Sequence, residues 1–85
     1  MTARHRNTDG RCGDRIAACR RRQGWNQREL SRQCGGSPSA KAISNWEGGT
    51  EPRLGESFNR MAEVLRVSPG WLLMGAKGED LHAYD

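Results

Sequence analysis

The stretch 26–49, NQRELSRQCGGSPSAKAISNWEGG, limits the fold more than any other part of the chain, because it holds two helix starts and two helix stops in a short span. Asn26 is placed to cap the amide of Glu29, and Glu29 to reach back in a capping box. Trp25, just outside, is placed to staple onto Leu30. A helix therefore begins near Gln27. Continuing it past Gly35, Gly36 and Pro38 is costly, and Ser39 then offers a second N-cap ahead of Ala40, Lys41, Ala42, Ile43 and Trp46. The second helix spans 40–47 and stops at Gly48 and Gly49, the residue type that tolerates a left-handed helix end.

On the second helix the 3.6-residue period puts Ala42, Ile43 and Trp46 on one face, and Lys41, Ser44 and Asn45 elsewhere. The apolar face requires burial. What remains outside is one cation, one hydroxyl and one carboxamide, without a run of like charge. That set suits base edges in a major groove: lysine to guanine O6 or N7, asparagine to adenine N6 and N7, and Ala40 to a thymine methyl, with Ser44 the least specific of the four. An ordinary solvated helix face has the same composition, so this reading depends on the flanking sequence. At the start of the first helix, free amides and the positive dipole end make an anion site to which Asn26 and Gln27 add side-chain donors.

Elsewhere the periodicity predicts three more helices and an all-α domain. One runs from 11 or 12 to 23, with Ile16, Ala17, Cys19 and the stem of Arg20 inward, and Arg21 and Arg22 complementing the dipole at its C-terminal end. Another covers 56–66 with Phe58, Met61, Ala62 and Leu65 at core spacing. The last starts at Pro69, capped by Ser68, and stops at Gly75. Trp71, Leu72 and Leu73 are consecutive on this short helix and cannot all face inward, so at least one is expected at a partner surface. The organisation is thus an N-terminal arm over 1–10, a domain over 11–75, and a polar tail over 76–85 carrying Leu81 and Tyr84. Arg4, His5 and Arg6 give the arm cations able to follow a phosphate backbone or enter a minor groove, though its lack of periodicity predicts plain disorder.

Charge is divided unevenly. Residues 1–53 hold 11 Lys and Arg against 5 Asp and Glu, a net of +6, whereas 54–85 hold 3 against 5, a net of −2. The basic half contains the helix pair, the footprint expected of a polyanion binder, although Arg28 and Arg32 read first as solvated or steering charges. No apolar run approaches the roughly 18 residues of a membrane span, and no signal peptide opens the chain. A cytoplasmic protein with no membrane partner is expected. Three cysteines without a Cys-x-x-Cys pair fit a reducing compartment, with Cys19 and Cys34 as small core residues. With His5 and His82 they lack zinc-finger spacing, so no metal is expected. Clustered carboxylates, a Cys-His pair and a phosphate loop are all missing, which argues against an enzyme, a cofactor or a small-molecule substrate.

The spaced residues Arg15, Ile16, Arg20, Gly24, Asn26, Gln27, Leu30, Gly35, Ile43, Ser44, Trp46, Glu47, Gly49 and Pro52, followed by Ala62, Leu65, Val67, Ser68, Trp71, Leu72, Leu73 and Gly75, resemble the phage-repressor and Cro type of helix-turn-helix domain, the XRE family. The likeness runs from about Arg11 to Gly75 in several separated blocks. It implies a five-helix, lambda-repressor-like DNA-binding bundle whose third helix docks in the major groove, in a phage or prophage regulator that is usually a homodimeric repressor. It also implies an ion pair of Arg20 with Glu47, a phosphate contact from Gln27, and a place for Arg53 near the central minor groove. The two-fold contact would be formed by the last helix and the loop before it, through Pro69, Trp71 and Leu72. Two features depart from the pattern: the turn over 35–39 is two residues longer, and Thr50 and Glu51 replace the cations common in that loop. The second functional class to weigh is a protein-interaction module or antitoxin-like partner using the same fold.

Overall fold

A computed structural model describes residues 11–75. The arm 1–10, with Arg4, His5 and Arg6, and the tail 76–85, with Leu81, His82 and Tyr84, lie outside the described residues. Among the described residues the chain forms five helices and no strand: α1 (Cys12–Arg22), α2 (Gln27–Gln33), α3 (Ala40–Glu47), α4 (Glu56–Leu65) and α5 (Pro69–Met74).

Local chemistry sets most of these bounds. Asn26 Oδ1 accepts from the Glu29 amide at 2.7 Å, Ser39 Oγ from Ala42 at 3.1 Å, and Ser68 Oγ from Trp71 at 2.9 Å, so α2, α3 and α5 all start on side-chain caps. The capping box at α2 is only half made. Glu29 turns along the helix instead, where Oε2 accepts from Gln33 Nε2 at 2.7 Å. Past α2, Gly35 and Gly36 take φ of 80° and 96°, and the Gly36 amide returns to the Ser31 carbonyl at 2.8 Å. The turn over 35–39 is packed: Ser31 Oγ donates to the carbonyl of buried Pro38 at 2.8 Å. The fourth helix ends one residue earlier than its periodicity predicts, because Arg66 takes a left-handed φ of 65°.

The core draws on every helix. Ile16 and Cys19 come from α1, Leu30 from α2, Ile43 from α3, Phe58, Met61 and Leu65 from α4, and Leu72 from α5, with Cys34 of the turn. Trp46 closes one side of it edge-to-face on Phe58, with ring centroids 5.9 Å apart and planes at 70°. As a result α3 rests on α1 and α2, while α5 rests on α1 and α4.

The residues expected at a partner surface on α5 differ in exposure. Leu72 is 0 % exposed, locked in the core, and so has no side chain to offer a second copy. Pro69, Trp71 and Leu73 are each partly buried. Among the described residues the exposed large apolar groups are Leu54 at 53 % and Met74 at 47 %. Met74 lies two residues, about 200°, round the helix from Leu72, so seating one side chain inward leaves the other facing out.

Candidate nucleic-acid interface

The outward face of α3 is built from the inside. Ile43 is fully buried and Trp46 partly so, which holds the helix by one stripe. Lys41, Ser44 and Asn45 are all exposed, Ala40 is partly exposed, and the helix start is squared off by the Ser39 cap. These four candidate base-contacting residues therefore share a surface free of core duty.

The far end of the helix is held by charge. Arg20 Nε lies 2.8 Å from Glu47 Oε2 and Arg20 Nη2 lies 2.9 Å from Oε1, a two-pronged pair with both side chains about one-tenth exposed. Arg20 Nη1 also donates to the Trp25 carbonyl at 2.9 Å. Burial pushes the Glu47 carboxyl up, but the hydrogen bonds from Arg20 and Gln27 and the charges of Arg20 and Arg21 outweigh it and leave the group below its ordinary range. The hydrogen bond to Glu47 likewise raises Arg20 against the opposing effect of burial.

The candidate phosphate ligands are less alike than their shared expectation. Asn26 is exposed, with Oδ1 spent on the Glu29 amide. Gln27 is drawn inward, donating from Nε2 to Glu47 Oε1 at 3.0 Å. Arg53 is exposed on the loop between α3 and α4, apart from the α2–α3 pair in sequence. Arg28 and Arg32 are exposed on α2, with Arg32 3.9 Å from Glu29.

Three contacts at the ends of α3 and α5 carry no strong local signal. Gly13 on α1 lies against the end of α3: an added β-carbon would run into the Trp46 carbonyl oxygen and lie 2.9 Å from the Glu47 Cα. A glycine in the first turn of a helical pattern is itself a hint of close approach. Arg15, buried on α1, donates to carbonyls at the end of α5. The Gln27 to Glu47 bond spans 20 positions and is the third. No group of three or more His, Cys, Asp or Glu able to hold a metal occurs among the described residues. None of the helices found there is long and apolar enough to cross a membrane.

The fold and this surface define a small all-α domain that presents one short polar helix face on a rigid backing. No family model, curated protein or solved structure matches the chain.

Proposed function

We propose that the protein is a sequence-specific DNA-binding regulator of the lambda-repressor-like helix-turn-helix kind, acting as a repressor by occupying promoter DNA. The carrying observation is the division of α3: Ile43 is 0 % exposed behind it, while Lys41, Ser44 and Asn45 stand in solvent in front. A helix of eight residues is about 12 Å long, comparable with the width of a major groove. In this reading Lys41 and Asn45 contact base edges and Ala40 and Ser44 fill between them. The free amide nitrogen of Asn26 and the Arg53 guanidinium contact the backbone or the neighbouring minor groove. The +6 charge of residues 1–53 steers the encounter. Two copies would pair through the exposed end of α5 around Met74 and read half-sites about one helical turn, roughly 34 Å, apart.

The test is selection of bound duplexes from a random pool, followed by affinity measured across a salt series. An enriched motif, with log K falling by about 0.9 per neutralised phosphate against log salt, supports the reading. A chain that binds no duplex, or enriches no motif, overturns it in favour of a protein-interaction or antitoxin-like module.

A further inference from the structure

Two helices converge on one carboxylate at the end of α3. Glu47 Oε2 accepts from Arg20 Nε at 2.8 Å, and Oε1 accepts from Arg20 Nη2 at 2.9 Å and from Gln27 Nε2 at 3.0 Å. The Arg20 arm neutralises the charge, and that pair is electrically complete on its own. The Gln27 arm adds nothing to the charge balance, yet it orders a long side chain and draws a terminal amide inward. Such ordering costs conformational entropy, so its effect has to be sought in the geometry it imposes.

That geometry is a closed loop. Gln27 is the first residue of α2 and Glu47 the last of α3, so their bond joins the ends of the helix pair that lie away from the connecting turn. At the turn itself, Ser31 Oγ bonds the Pro38 carbonyl at 2.8 Å. Between the two ties lie Leu30 and Ile43, both fully buried. An apolar contact alone is non-directional and leaves two packed helices free to rock. A polar tie at each end removes that freedom.

We infer that Gln27 is a positioning residue for the exposed face of α3, acting through Glu47 on the angle between α2 and α3. This rests on the DNA-binding reading above but departs from the phosphate contact that the family likeness implies for Gln27. One amide hydrogen of Gln27 is committed to Glu47; the other is the basis of the competing account, in which the residue simply donates to a phosphate. The two accounts differ in what they do to specificity. A loosened α3 loses the advantage of the right sequence over the wrong one. A lost phosphate donor weakens every duplex equally, because phosphates carry no sequence.

The experiment measures the full chain by fluorescence anisotropy on its selected motif and on a panel of single-mismatch duplexes. Gln27→Met and Gln27→Glu are compared with the unmodified protein, and the amide chemical shifts of 40–45 are recorded for each without DNA. Thermal unfolding without DNA serves as the check on folding. The expected result is that Gln27→Met lowers the ratio of motif to mismatch affinity by a factor of about 2 to 10, with mismatch affinity nearly unchanged. In the free protein Gln27→Met also moves the amide resonances of 40–45, since the tie that sets the angle of α3 is gone. Uniform weakening of all duplexes by Gln27→Met overturns the inference. So do amide resonances of 40–45 that stay in place in Gln27→Met, since a residue that only donates to a phosphate has no effect on the free chain. An unmodified chain that selects no motif removes the DNA reading and this inference together, whereas a motif with uniform weakening removes the inference alone.

Discussion

Arg15 on α1 donates from Nε to the carbonyl of Leu72 at 3.0 Å, and its Nη2 reaches the next carbonyl, of Leu73, at 2.7 Å. A guanidinium only 3 % exposed thus closes the end of α5, where the last carbonyls of any helix lack partners of their own. The side chain that seats Leu72 in the core is therefore charged, and it sits 57 positions away.

Replacing Arg15 with methionine keeps much of the volume but strands both carbonyls. We expect a loss of about 1 to 3 kcal/mol in urea unfolding. Lysine should restore little, because a single ammonium does not reproduce the flat fork that spans two acceptors. Wild-type stability in Arg15→Met would show that the carbonyls find other partners.

The Arg20 to Glu47 pair makes stability depend on acid. Glu47's folded-state pKa lies below its ordinary value, so the pair's contribution is complete above the unfolded carboxylate pKa of about 4.3. It is lost as pH falls through the lower folded value. Urea midpoints should drop on acidification below that point, and less steeply in Glu47→Gln. At neutral pH Glu47→Ala should cost about 3 to 5 kcal/mol, and replacing both partners with methionine should cost less than either single change.

Gly13→Ala reverses the usual sign of a helical substitution. In an unobstructed helix alanine is favoured over glycine by up to about 1 kcal/mol. Here the added carbon meets the backbone of Trp46 and Glu47, which has no rotamer to swing away. A loss of about 1 to 3 kcal/mol is expected, with a displaced α3. Calorimetry gives the first and chemical-shift changes at 40–47 the second; a more stable alanine variant would contradict the close approach.

Lys41→Ala and Asn45→Ala separate folding from recognition. Both side chains are exposed, so unfolding free energy should move by no more than about 0.5 kcal/mol. Each should forfeit about 1 to 3 kcal/mol of discrimination at one base position. Unaltered base preference in both variants would take the reading face off α3.

The three thiols should be silent in the folded protein. Burial pushes Cys12 up to about 11 against the lowering effect of Arg15, with Glu51 adding to the rise. Burial likewise raises Cys19 and Cys34. Since the thiolate is the reactive form, brief iodoacetamide treatment at neutral pH should leave the intact mass unchanged and label all three after unfolding.

The starts of α2, α3 and α5, the turns that stop α2 and α3, and the burial stripe of α3 are legible in the residues themselves. Asn26, Ser39 and Ser68 act on amides three positions away, and Gly35 and Gly49 on the adjoining turn, so a few neighbouring residues suffice to specify them. The path of the 35–39 turn does not set the start of α3, because Ser39 caps it. The Arg20 to Glu47 pair follows from the family likeness, as spacing alone does not join residues 27 positions apart.

Other relationships exist only once the helices are packed. Whether Leu72 or a neighbour enters the core depends on the rotation of α5, which Arg15 holds from α1. That Gly13 is a contact, and that Gln27 turns inward to Glu47, depend on how closely α1 and α2 approach the end of α3. Periodicity tells which stripe of a helix seeks burial, since that is a property of one segment. It does not carry the distance or rotation between segments, which emerge when all five stripes compete for the same interior.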